Sequence, residues 1–232
     1  MKTLNKIVSL FLFIILISCQ TQPGVYSDLN DYGYRGKVKS VRFRSYNNII
    51  LRQNKWEVKD SLQVSYTMTH TFNEDGNFIE STMKSPNDSY QMIYTYTGKI
   101  KTGWQKKDSS GNIVERGEYA YNGNKGFDET YFDTQGKKVH VSRYNLDQNH
   151  HTKTLEDLGY DNDGTVSFRM VSTFEDKDGY LYKVSQEYKT ENKKDNLEFT
   201  ILEKDKFNNP IKVLVKKNGK PNQIRWVTIE YV

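Results

Sequence analysis

The chain has 232 residues, a net charge of +5 and a single cysteine. Acidic and basic residues are mixed along it, which argues against the one-signed patch of a nucleic-acid binder. One cysteine leaves no intrachain disulfide, redox pair or cysteine-based zinc site.

In chain order, Lys2 and Lys6 open a positively charged leader, and Ile7 to Ile17 follow as an apolar run broken only by Ser9. That run is shorter than the roughly 20 apolar residues a membrane-spanning helix needs, and it fits the apolar region of a signal peptide. It ends in Leu16-Ile17-Ser18-Cys19, which resembles the lipobox of bacterial lipoproteins. The resemblance implies cleavage after residue 18 and lipid, palmitate included, on Cys19. Stable anchoring needs two or more acyl chains, since each buried methylene contributes about 0.8 kcal/mol. Residues 19–33 are then the lipidated cysteine and its tether, and no acid follows Cys19 directly. The expected location is the outer membrane, facing the periplasm, with surface exposure as the alternative.

From residue 34 onward the dominant signal is alternation. Val64, Tyr66, Met68, His70 and Phe72 occupy every second position, as do Tyr90, Met92, Tyr94 and Tyr96; Val166, Phe168, Met170 and Phe174; Leu197, Phe199 and Ile201; Ile211, Val213 and Val215; and Val227, Ile229 and Tyr231. Period two places one face against a core and the other in water, as an antiparallel sheet allows. Ala120 is the only alanine, so helix propensity is low. Leu, Ile, Val and Phe make up only about a fifth of the chain past residue 18, close to disordered compositions. The 17 tyrosines argue instead for a thin aromatic core.

Turn sequences separate the strands: Asn73-Glu74-Asp75-Gly76-Asn77, Asp108-Ser109-Ser110-Gly111-Asn112, Asp133-Thr134-Gln135-Gly136-Lys137, Asp161-Asn162-Asp163-Gly164 and Asp176-Lys177-Asp178-Gly179. Their glycines supply positive φ and their Asn or Asp side chains bond back to the turn. Between Gly136 and Gly164 the beat is longer, with Gln148-Asn149-His150 near its middle. Regular hairpins of this kind read as repeats. The aromatic-Asp-x-x-Gly-Asn form resembles the YD (RHS-like) repeats of bacterial envelope proteins, and Gly36-Lys37-Val38-Lys39-Ser40-Val41 resembles the opening strand of short Bacteroidetes-type lipoproteins carrying them. The resemblance spans 34–232 and implies curved antiparallel hairpin sheets, which in large members enclose another polypeptide. With this few repeats, the expectation is all-β, a single β-hairpin repeat domain whose hairpins form one extended, twisted or curved sheet without closing.

Chemistry is sparse. The Asp-rich turns fail the ligand positions of an EF-hand, His70, His140, His150 and His151 lack zinc spacing, and no nucleophile elbow, phosphate loop or dinucleotide fingerprint occurs. No catalytic residue, metal or cofactor is expected. The remaining candidates are aromatics on consecutive strands, Tyr94, Tyr96, Trp104, Tyr119 and Tyr121, either as a ligand surface or as the thin core itself. The leading expectation is a non-catalytic envelope lipoprotein with a binding or scaffold surface for a protein or glycan, its oligomeric state open. The alternatives are an envelope hydrolase with a site hidden from sequence, and a half-barrel lipid or lipoprotein carrier.

Overall fold

The computed structural model describes residues 26–232; the signal peptide and Cys19 lie outside them. A four-residue helix, α1 (Asp28–Asp31), precedes the strands. The alternating segments all become strand: β1 (Val38–Tyr46), β2 (Ile49–Arg52), β3 (Lys55–Val58), β4 (Tyr66–Phe72), β5 (Phe78–Lys84), β6 (Ser89–Thr97), β7 (Ile100–Asp108) and β8 (Ile113–Tyr121). They continue through β9 (Gly126–Phe132), β10 (Lys138–Leu146), β11 (Thr152–Tyr160), β12 (Val166–Lys177), β13 (Tyr180–Tyr188), β14 (Lys193–Lys204), β15 (Pro210–Lys217) and β16 (Lys220–Tyr231).

The expected open sheet is corrected here: fourteen strands close into an antiparallel barrel. Closure is made by β1, which pairs with β16 on one side (Phe43 opposite Val227) and with β4 on the other (Phe43 opposite Met68). The intervening β2–β3 hairpin loops out of the wall and packs against the outside of β16, where Tyr46, Leu214 and Ile224 are buried. With both flanks of β1 occupied, the barrel sheet has no unpaired edge among the described residues, and the right-handed twist of successive hairpins becomes the curvature of a closed wall.

The repeats are visible as one turn used again and again. In the turns starting at Asn73, Asp108, Asp133, Asp147, Asp161 and Asp205, the first residue's backbone N–H donates to the carbonyl four residues on, and its own carbonyl accepts from the N–H three residues on. In all but the Asp161 copy, its side-chain oxygen also accepts from the second and fourth following N–H groups, as Asp108 does from Ser110 and Asn112 at 2.9 Å. The fourth position needs positive φ; His150 and Asn208 take it at 64° and 65° where the other copies use glycine. His150 therefore occupies the beat that glycine spacing leaves blank.

Register fixes which side of the wall each residue faces. Inward are Phe43, His70, Ser81, Tyr94, Trp104, Tyr119, Phe127, Tyr144, Leu155, Met170 and Phe199; outward on the same strands are Arg42, Thr69, Thr82, Thr95, Gln105, Glu118, Asp128, Arg143, Glu156, Arg169 and Glu198. The outer wall carries ion pairs such as Arg143–Glu156–Arg169 and Lys183–Glu175. The inner wall is aromatic.

Close contact within the wall is set by Gly117, directly opposite Trp104. A Cβ there would lie 2.2 Å from the indole, whose ring is 2% exposed. Gly117→Ala is expected to lower stability by about 1–3 kcal/mol through overpacking, with partial recovery in Gly117→Ala/Trp104→Phe. Thermal unfolding of the pair checks this, and an unchanged midpoint in the single variant refutes it.

Candidate functional site: a plugged aromatic lumen

One end of the barrel carries the turns after β4, β6, β8, β10, β12 and β14, and here residues 26–37 cross the opening. Leu29 N–H donates to Gly76 O, Asn30 Nδ2 to Asn149 O, and Arg35 N–H to the side chain of Asn209, so three of the repeat turns grip one strap. The strap falls partly within the span expected to be tether.

Its central contact is a buried ion pair. Lys101 Nζ lies 2.6 and 2.9 Å from the carboxylate oxygens of Asp28, with side chains 6% and 4% exposed. Asp28 also accepts from Phe78 N–H at 2.7 Å. The ammonium sits 5.0–5.9 Å from the ring centres of Tyr26, Phe78, Tyr94 and Tyr119, favourable for cation–π attraction. Further along the strap, Asp31 accepts from Thr152 N–H at 2.6 Å and from its hydroxyl at 2.9 Å. Burial raises the Asp31 carboxyl above its ordinary range, against the lowering effect of those bonds.

The five aromatic candidates share the inner face, on β6, β7 and β8. Tyr94 lies opposite Trp104, and Tyr119 and Tyr121 lie opposite Glu129 and Phe127. Their roles differ. Trp104 is sealed in the wall against Tyr131 and donates to Glu129 at 2.5 Å. Tyr96 donates to Phe78 O, and Tyr94 and Tyr119 surround Lys101. Tyr119 and Tyr121 also touch Phe127, whose ring stacks on Tyr144 at 4.5 Å. Glu129 accepts from Trp104, Tyr119 (2.9 Å) and Tyr144 (3.4 Å), and burial raises its carboxyl despite these donors.

Two serine–histidine groupings lie on the inner wall. Ser81 Oγ is 2.7 Å from His70 Nδ1, but the other ring nitrogen of His70 is buried with no polar partner. Burial, then the charge of Lys101, lowers His70 to about 4. Ser142 donates to Asp157 (2.6 Å), which also meets His140 Nε2 (3.0 Å). There the carboxylate stands between serine and histidine, the reverse of the serine–histidine–acid order that activates a nucleophile. Among the described residues no group of three or more His, Cys, Asp or Glu is placed to hold a metal.

Beyond the strap the lumen is hollow. Tyr32 is 45% exposed although its ring lies among Tyr34, Phe43, His70 and Phe78. Inward-facing Met68, Met83, Met92, Phe168, Met170, Tyr188 and Phe199 are all only half-buried. A cavity of about 330 Å³ is lined by Asp31, Tyr32, Tyr144, His151, Thr152, Phe174, Asp176, Leu181 and Arg225. None of these nine was a sequence candidate for a site. One signal was available: Arg225 continues the inward register of Val227, Ile229 and Tyr231, so a cation stands where the pattern calls for an apolar residue.

No family model and no curated protein matches the chain. Among solved structures, a porin-like protein from Bacteroides vulgatus superposes with a TM-score of 0.51 at 11% identity, covering 85% of this chain and all of that one. A porin-like protein from Bacteroides uniformis gives 0.45 at 11% identity, over 86% of this chain and all of the other. A structure described as TcdB2-TccC3-TEV gives 0.29 at 12% identity, over 79% of this chain and 11% of that one. At these identities the likeness is one of fold: this chain shares the closed antiparallel barrel of a porin-like Bacteroides protein.

Proposed function

We propose that the chain is a lipid-anchored, non-catalytic binding barrel of the cell envelope, which stands in water and holds an apolar or amphiphilic ligand in its lumen. The observation that carries this reading is the distribution of side chains across the wall. A membrane-spanning barrel turns an apolar band outward and a polar face inward. Here Arg42, Arg44, Arg143, Glu156 and Arg169 face out, while Phe43, Tyr94, Trp104, Phe127 and Phe199 face in. Charged side chains at lipid-facing positions cost about 2–4 kcal/mol each at the bilayer midplane, so the barrel is a container rather than a pore. Aromatic rings and flexible methionine thioethers form a wall that adapts to apolar guests. The lipobox-like Leu16-Ile17-Ser18-Cys19 supplies the anchor, and the half-barrel carrier considered from sequence becomes a full barrel closed at one end by its own strap.

The test uses the full chain and residues 20–232, which contain every element of the barrel. The full chain is expected to incorporate labelled palmitate and sediment with membranes, and Cys19→Ser to lose the label. Residues 20–232 are expected to stay in detergent-free solution and to bind N-phenylnaphthylamine saturably with a blue-shifted emission. A shortened chain that requires detergent would place the outer wall in lipid, and absence of saturable binding would remove the ligand-holding lumen.

A further inference from the structure

We infer that the lumen selects a ligand ending in a carboxylate and that Arg225 is the group that binds it; this rests on the lumen being a ligand site. Arg225 lies on β16 between Gln223 and Val227 on the inward face, opposite Val213 of β15 and Ser45 of β1. Its guanidinium carbon is 5.5 Å from the centre of the Phe199 ring. With the Gln223 amide turned so that its oxygen faces the guanidinium, that oxygen accepts from Nε at 3.2 Å and from Nη2 at 3.1 Å. The fork is thereby oriented, with its Nη1 donors uncommitted to either contact.

The inward-facing lysines Lys101, Lys106, Lys193 and Lys217 are paired. Lys101 has Asp28, Lys106 has Glu115 at 3.5 Å, and Lys193 and Lys217 share Asp195 at 3.5 and 3.0 Å. Arg225 has no carboxylate within 4.0 Å among the described residues, and residues 1–25 contain no acid. Arg225 is half-buried and without a counter-charge, and its planar donors match a carboxylate two-on-two.

The cavity beside it matches the rest of such a ligand. Tyr32, Tyr144, Phe174 and Leu181 supply apolar surface, and about 330 Å³ lies within the range of small-molecule sites. Its two acids are already engaged, Asp31 by Thr152 and Asp176 by His151 at 3.3 Å. Those acids also set the charge of the guest. Two carboxylates beside the guanidinium oppose a dianion such as a phosphate monoester more strongly than a monoanion.

The experiment titrates residues 20–232 with cis-parinaric acid, its methyl ester and dodecyl phosphate at pH 7.5, in wild type, Arg225→Gln and Arg225→Lys. The acid is expected to bind about tenfold or more tighter than the ester, as a charge-assisted pair supplies. Arg225→Gln is expected to erase that ratio by weakening acid binding far more than ester binding, and Arg225→Lys to keep part of it. Circular dichroism reports the folding of each variant, and the lysine variant stands in should the glutamine one not fold. Equal binding of acid and ester by the wild type, an unchanged ratio in Arg225→Gln, or dodecyl phosphate binding as tightly as the acid overturns the carboxylate assignment while leaving the lumen as a site. Binding of none of the three probes overturns both.

Discussion

Lys101→Met is expected to lower the unfolding midpoint by about 10 °C and to open the strap to trypsin at Arg35 and Lys37. The reason is the asymmetry of a buried ion pair. Asp28 and Lys101 are both nearly sealed from solvent, and removal of one partner leaves an uncompensated charge, which costs about 3–5 kcal/mol. In a chain of this size each kcal/mol shifts the midpoint by about 2–4 °C. The pair joins the strap to β7, so its loss is felt first as release of residues 26–37 rather than as uniform weakening of the wall. Asp28→Asn/Lys101→Met removes both charges while keeping an acceptor for Phe78 N–H, and is expected to recover more than half of the loss. Scanning calorimetry and a trypsin time course read the two effects separately. A Lys101→Met variant with wild-type midpoint and wild-type cleavage would show that the strap is held by its backbone and ring contacts alone.

The strands and their inward faces were legible because they rest on local pattern. Tyr66, Met68, His70 and Phe72 alternate in sequence and point into the lumen, whereas the pairing register, not the sequence, brings Tyr94, Trp104 and Tyr119 to that face. The turns were legible for the same reason, down to the copy at Gln148-Asn149-His150 that lacks glycine. Closure was not. It depends on β1 meeting β4 across an excursion of the chain from Asn47 to Ser65, and on β16 returning to β1 from the far end of the sequence. Hairpin periodicity carries no information on either pairing, so the repeats could be recognised while their sum was misjudged as open.

The strap was hidden for a related reason. Residues 26–37 show neither period two nor period 3.6, and their partners lie far along the chain, as Arg35 with Asn209 and Asp31 with Thr152 do. Register shifts obscured Lys101. The irregularity between Thr95 and Tyr96 turns it inward opposite Tyr96, where unbroken alternation from Trp104 would turn it outward. Arg225 has no such excuse, since its register with Val227 and Ile229 is regular. Reading the sets by their apolar members alone passed over the polar residue in phase with them.

His70→Phe is expected to stabilise the barrel in acid relative to neutral pH. His70 stacks on Phe78 at 4.4 Å and lies 5.8 Å from Phe43, so a phenyl ring suits the position. One of its nitrogens is buried without a partner, and Ser81 retains contact with Tyr94. The imidazole is held neutral, with its value lowered from 6.5 to about 4 by burial and then by Lys101. Between those two values the unfolded chain binds the proton and the folded chain does not, so stability falls as pH drops from 6.5 to 4, by about 3 kcal/mol in all. Asp31 and Glu129 act in the opposite sense. Their carboxyls are raised in the folded state, so the fold binds their protons first and gains stability as pH falls. In the wild type the two tendencies oppose one another. Phenylalanine removes the first and leaves the second, so the difference in midpoint between variant and wild type is expected to widen by about 6–10 °C from pH 7.5 to pH 4.5. Midpoints measured at four pH values in that interval decide the matter. A constant difference would mean that His70 takes up its proton in place and that water reaches it through the lumen.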